Sequence, residues 1–159
     1  MHPTSGEQAG IAVPGTVSSS GLLAALTPAE RAVVAGYGRE RLVPAGGEIW
    51  AVGAATDGLA WIEDGQVELK VDTEFPGKQI VVGVFAAGSV IGASGVLECQ
   101  PRATAAKALV PTTLLLLDRE RFDALAADHP HLAIKVLKAL LLAEATRLRK
   151  AYARLASIF

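Results

Sequence analysis

From Leu42 to Asp118 the chain is a succession of short apolar or alternating runs, each stopped by a turn residue. Pro44, Gly46, Gly47, Gly53, Gly58, Gly77, Gly83, Gly88, Gly92 and Gly95 supply the punctuation. Helix-breaking residues at such intervals leave no room for a long helix. Many short strands remain, and these bury their apolar faces by closing as an antiparallel barrel or jelly roll. Val67-Glu68-Leu69-Lys70-Val71 alternates with period two, as a half-buried strand does. Leu59-Ala60-Trp61-Ile62 precedes it, and Asp64-Gly65 between the two runs predicts a hairpin. Ile80–Phe85 and Thr113–Leu117 are further predicted strands, and the polar stretch Thr73–Lys78 is predicted as a plain turn.

Helical patterns flank this region. Thr27-Pro28-Ala29-Glu30 has the capping-box form, with a hydroxyl at the cap, Pro at the first helical position and Glu three residues after the cap. That helix is expected to run to about Tyr37, between Gly36 and Gly38. Asp118 caps a second, short helix over Arg119–Ala127. Pro130 opens a long one, in which Ile134, Leu137, Leu141, Glu144, Leu148, Ala151, Leu155 and Ile158 fall three and four apart. This is a heptad seam with one polar break. Leu132–Leu140 is expected to pack on the barrel. The later part presents an apolar stripe, for which a twofold homodimer is the simplest closed solution. In that arrangement Glu144 pairs across the seam with Arg147 or Lys150. The predicted class is α+β: a small antiparallel jelly roll or barrel with an N-terminal helix and a C-terminal helix over about 130–158, all in one unit, 22–159. Residues 1–21 are rich in Pro, Gly, Ser and Thr and are expected to be a flexible leader.

Composition narrows the function classes. Hydrophobic residues are 51 % of the 159, so a core can form, but aromatics are only 5 %, so it must be built from Val, Leu, Ile and Ala. A formal charge of −1 gives no overall pull toward nucleic acid or anionic lipid. The last helix holds Lys135, Lys138, Arg147, Arg149, Lys150 and Arg154 against Glu144 alone, hence +5 from His131 onward and −6 elsewhere. A solvated basic face complementing the helix dipole is the favoured reading, and sequence-specific DNA binding is not expected. No apolar segment approaches the roughly 20 residues of a membrane span, and no signal peptide is visible. A cytoplasmic location is expected, and the single Cys99 fits a reducing compartment. The three histidines are His2, His129 and His131, none of them within 42–118. This argues against a metal-binding jelly-roll enzyme, whose ligands would lie on barrel strands. No hydrolase triad motif is present, and Cys99 reads as a loop thiol. No enzymatic activity and no cofactor are expected.

The order of helix, glycine-punctuated barrel and long helix resembles the cyclic nucleotide-binding domain family over roughly Leu22–Arg154. Val43-Pro44-Ala45-Gly46-Gly47-Glu48-Ile49 is similar to the family's opening strand motif. Val52-Gly53, Asp57-Gly58 and Trp61-Ile62-Glu63-Asp64-Gly65-Gln66-Val67 are similar to the turns and hairpin that follow. Gly88-Ser89-Val90-Ile91-Gly92 with Pro101-Arg102-Ala103-Thr104 resembles its phosphate-binding cassette. Leu116-Leu117-Asp118-Arg119-Glu120-Arg121-Phe122 resembles its strand-to-helix exit.

The resemblance implies a non-catalytic sensing or regulatory domain with a short helix in the cassette, and a site at Gly92, Ala93, Ser94, Arg102, Ala103 and Thr104. In nucleotide-binding members a turn of helix offers backbone N–H groups to the cyclic phosphate, an Arg neutralises it, and a Glu accepts from the ribose 2′-hydroxyl. Here Gly92 and Arg102 match, but the Glu position is Ala93, and Ile91 stands for the usual aromatic. The missing carboxylate is worth about 1.5–3 kcal/mol. Weak cyclic-nucleotide binding, another phosphate-bearing ligand, or an empty pocket within an interaction module all remain open. Arg102 either holds a phosphate or pairs with a surface carboxylate, and its Pro-Arg-Ala-Thr setting favours the phosphate. Thr104 either assists the anion or faces solvent. Glu98, in the same loop, is the alternative source of a carboxylate.

Overall fold

The computed structural model describes residues 16–17 and 25–159. The proposed leader 1–21 otherwise lies outside the described residues; Thr16–Val17 form a two-residue strand, β1. Helix α1 spans Pro28–Tyr37, and the Thr27 hydroxyl accepts from the Glu30 N–H at 3.2 Å, as the capping motif requires. Strands follow at Arg39–Val43 (β2), Glu48–Trp50 (β3), Gly58–Asp64 (β4), Gln66–Asp72 (β5), Gln79–Ala86 (β6), Val90–Ile91 (β7), Ala105–Ala108 (β8) and Thr112–Asp118 (β9). A single 3-10 turn, Ala93–Val96, lies between β7 and β8. Helices α2, Arg119–Asp128, and α3, Pro130–Ala156, complete the chain. The Asp118 carboxylate caps α2 by accepting from the Arg121 N–H at 2.8 Å.

The strands form two sheets, ordered β1-β6-β5-β8-β3 and β2-β9-β4-β7. All pairings are antiparallel except β1 with β6. The expected hairpin at Asp64-Gly65 is not one. β4 pairs with β7 and β9, whereas β5 pairs with β6 and β8. Asp64-Gly65 is therefore the corner where the chain leaves one sheet for the other. Gly65 makes that corner with φ +105°, and a Cβ there would lie 2.3 Å from the Thr112 hydroxyl oxygen. The true hairpin joins β5 to β6 through Thr73–Lys78, closed by a Thr73 N–H bond to the Lys78 carbonyl at 2.9 Å.

Two cores result. Val43, Ile62, Val67, Leu69, Phe85, Ile91 and Leu114 fill the space between the sheets. Leu59, Trp61, Leu115, Leu117, Phe122, Leu125, Val136 and Leu140 join the second sheet to the helices. β4 and β9 contribute to both, which is why Leu59-Ala60-Trp61-Ile62 and Leu114-Leu115-Leu116-Leu117 are continuous apolar runs and not alternating ones.

Helix α3 begins with Ala133, Val136, Ala139 and Leu140 buried on this second core. Lys135 fixes it to α1 by an ion pair with Glu30 at 2.8 Å. Farther along, Arg147 donates to the Val90 carbonyl and Arg154 donates to the Val82 carbonyl at 3.4 Å. Leu141, Leu148, Tyr152, Leu155 and Ile158 are all more than half exposed. Within the single chain Glu144 pairs along its own helix with Arg147 at 2.7 Å. The i,i+3 spacing brings the two side chains together on one face, and that face lies against the barrel.

Candidate functional site

The loop from β7 to β8 folds around Gly92, which starts the 3-10 turn with φ +68°. A side chain is excluded there twice over. The left-handed conformation disfavours L-residues, and a Cβ would sit 2.3 Å from Arg102 Nη1 and 3.1 Å from the Trp50 ring. The two residues matched across the cassette, Gly92 and Arg102, are thus in contact. Arg102 itself is locked by its backbone: its N–H donates to the Ala54 carbonyl at 2.9 Å, and its carbonyl accepts from Gly53 N–H at 2.7 Å.

The Arg102 side chain is 7 % exposed. Nη2 donates to the Gly58 carbonyl at 2.6 Å and lies 3.7 Å from the Asp57 carboxylate. The guanidinium carbon is 3.9 Å from the centre of the Trp50 ring, and Nε is buried with no hydrogen-bond partner. Burial lowers the Arg102 pKa, and the charge of Asp57 opposes that shift.

Arg102 consequently separates two cavities. The outer one, about 500 Å³, is lined by Arg102 and Trp50 with Asp57, Arg39, Arg41 and Arg121. The inner one, a cleft of about 530 Å³, lies between the cassette turn and α3. Gly92, Ala93, Ser94 and Thr104 line the inner cleft, and Leu137, Leu140, Leu141 and Glu144 of α3 face them. So four of the six residues singled out in the sequence share one cavity. Arg102 lines the other, on the far side of Gly92, and Ala103 is exposed and lines neither. Glu98 is exposed at the end of the turn, where its N–H donates to the Ser94 carbonyl at 2.9 Å; it does not line the cleft.

The helix side of the cleft was not legible as a wall. Its residues are spaced as a core-facing helix stripe is, and the same spacing puts Glu144 in the seam. Nothing local in the sequence marks Trp50 and Asp57 as partners of Arg102, because these contacts span more than forty residues of chain. Behind Glu144, Arg147 packs its guanidinium 4.5 Å from the centre of the Phe85 ring, at the mouth of the barrel. Burial lowers the Arg147 pKa, and Glu144 opposes the shift.

A model of the cyclic nucleotide-binding domain family matches residues 40–129. The catabolite activator protein of Thermus thermophilus is similar in structure, with a TM-score of 0.72 and 31 % identity, covering 89 % of this chain and 63 % of that one. This chain therefore spans less than two thirds of the Thermus protein. A cyclic nucleotide-binding domain from Methylobacillus flagellatus gives a TM-score of 0.77 at 25 % identity, covering 84 % and 75 % of the two chains. The N-terminal domain of a transcriptional regulator from Streptomyces coelicolor gives 0.67 at 25 % identity, covering 82 % and 89 %. No curated protein sequence matches. Among the described residues, no helix is long and apolar enough to cross a membrane.

Proposed function

Because the chain belongs to the cyclic nucleotide-binding domain family, we propose that it is a non-catalytic, ligand-sensing regulatory domain. In this reading the cleft between cassette and α3 is the sensing site. The observation that carries it is the ownership of the cleft walls. Gly92, Ala93, Ser94 and Thr104 come from the cassette, and Leu137, Leu140 and Glu144 come from α3. A molecule seated there touches both elements, so its binding energy can favour one placement of the helix over another. The readout is the exposed seam of α3, through which two copies pair as a homodimer.

Cyclic nucleotides bind weakly in this reading. Ala93 offers no carboxylate to a ribose hydroxyl, and the Arg102 guanidinium is held by Gly58, Asp57 and Trp50. Ligand contact is assigned to Gly92, Ala93, Ser94 and Thr104, with Arg102 and Ala103 joining only if the cassette rearranges. Calorimetric titration of the purified chain with cyclic AMP, cyclic GMP and cyclic di-GMP tests this, and low-micromolar or tighter binding of any of them contradicts it. The second reading, a dimerisation module with an unused pocket, draws support from the anchoring of Arg102 away from the cleft. It predicts that no small molecule alters the stability or assembly of the protein.

A further inference from the structure

We propose that the inner cleft takes an uncharged amphipathic molecule, an apolar chain or ring system carrying a hydroxyl-type donor, and discriminates against anions. This rests on the reading of the cleft as the sensing site and adds the chemical class of its ligand.

Charge placement is the first ground. Two guanidinium groups come near the cleft and neither lines it. Arg102 lies behind Gly92, bonded to the Gly58 carbonyl and stacked on Trp50. Arg147 is turned to the Val90 carbonyl and the Phe85 ring. The charged residue that does line the cleft is Glu144. Its carboxylate is paired with Arg147 at 2.7 Å, and 48 % of the Glu144 side chain is still exposed. A phosphate or carboxylate entering here meets a like charge, with no cation free to compensate it. Burying a charge under those conditions is strongly unfavourable.

The walls are the second ground. Leu69, Val96, Leu97, Leu137, Leu140 and Leu141 make most of the surface. Ser94, Thr104 and Glu144 are the polar side chains among them, and all three have oxygens able to accept a hydrogen bond. An apolar body with a donor directed at this group satisfies both parts of the lining. The cleft volume of about 530 Å³ falls within the usual range for small-molecule sites.

The test uses the full chain and the neutral fluorophore 1-aminoanthracene as reporter, displaced by 1-decanol or by sodium decanoate at pH 7.5. The two competitors share a chain length and differ in the charge of the head group. 1-Decanol is expected to displace the probe at about a tenfold lower concentration than decanoate, and Glu144→Gln to bring the two within about threefold. Glu144 is half exposed, so this variant keeps its fold. Equal displacement by the two on the wild-type protein overturns the proposal. So does a preference that Glu144→Gln leaves unchanged, because the discrimination then belongs to the apolar wall alone. Displacement by cyclic AMP at low micromolar concentration without displacement by decanol also overturns it, while leaving the sensing reading intact. A protein that takes up no probe, no decanol and no cyclic nucleotide removes both.

Discussion

Arg102 lies over Trp50, its guanidinium carbon 3.9 Å from the centre of the ring, with Gly92 close beside both side chains. This placement makes the arginine a structural member of the cassette. From the sequence alone, truncating it is expected to leave stability nearly unchanged. The buried position reverses that expectation. Arg102→Ala removes the donor to the Gly58 carbonyl and the packing on Trp50, and should cost about 2–4 kcal/mol in urea unfolding. Asp57→Ala removes an exposed carboxylate 3.7 Å away and should change stability by less than about 1 kcal/mol. Equal losses in the two variants would contradict this account.

Gly92→Ala tests the turn itself. The left-handed φ of +68° and the approach of Arg102 Nη1 act in the same direction. A loss of about 1–2 kcal/mol is expected by chemical denaturation. Gly36→Ala provides the comparison, since its Cβ would meet open space inside α1. It should be neutral or stabilising by up to about 1 kcal/mol.

Restoring the absent carboxylate should restore nucleotide affinity. Ala93→Glu is expected to strengthen cyclic AMP binding by about tenfold or more, measured by calorimetry against the wild-type chain. No gain would mean that the anchoring of Arg102, and not the identity of residue 93, limits binding.

Assembly through α3 is checked by sedimentation equilibrium. The wild-type chain should be dimeric at micromolar concentration, and a Leu148→Asp, Leu155→Asp double variant monomeric. Both positions are more than half exposed, so the monomer should keep its fold. A wild-type chain that stays monomeric at high concentration would exclude pairing through this seam.

The Glu30–Lys135 pair gives a pH signature. The hydrogen bond from Lys135 is the main cause that holds the Glu30 pKa below its ordinary value of 4.5. A depressed carboxylate stabilises the fold above its unfolded pKa, and the contribution is lost as pH falls through the lower, folded value. Stability of the wild type should therefore decline as pH drops below about 4.5, and Glu30→Gln should flatten that part of the profile. Identical acid profiles would show that the pair does not contribute.

The parts of this fold that were legible in the sequence are those that local chemistry decides. Thr27 and Asp118 cap their helices because the hydroxyl and carboxylate reach N–H groups three residues on. The β4 and β9 runs were legible as strands by their apolar length. The Asp64-Gly65 corner was not, because the same two residues turn a chain back on itself or hand it to another sheet, and the choice depends on Thr112 and Pro111, far along the chain. The site divided in the same way. Gly92 and Arg102 were found by their spacing. The direction of the Arg102 side chain depends on Trp50, Asp57 and the Gly58 carbonyl, and these reach it only when the sheets have closed. Glu144 stood out as the polar break in an apolar stripe, but periodicity assigns a residue to a face without saying what that face meets.

Arg147 and Arg154 grip two barrel carbonyls, those of Val90 and Val82, from positions seven residues apart on α3. Seven residues are about two turns, or some 10 Å of axis. A rod pinned at two points along its length can neither spin about its axis nor swing from one end without releasing a pin. The bearing on which Leu148 and Leu155 face outward is thus set by the barrel. Releasing the grip at Val90, two residues before Gly92, would leave a helix of 27 residues held on the barrel at one carbonyl fewer and free to change its heading.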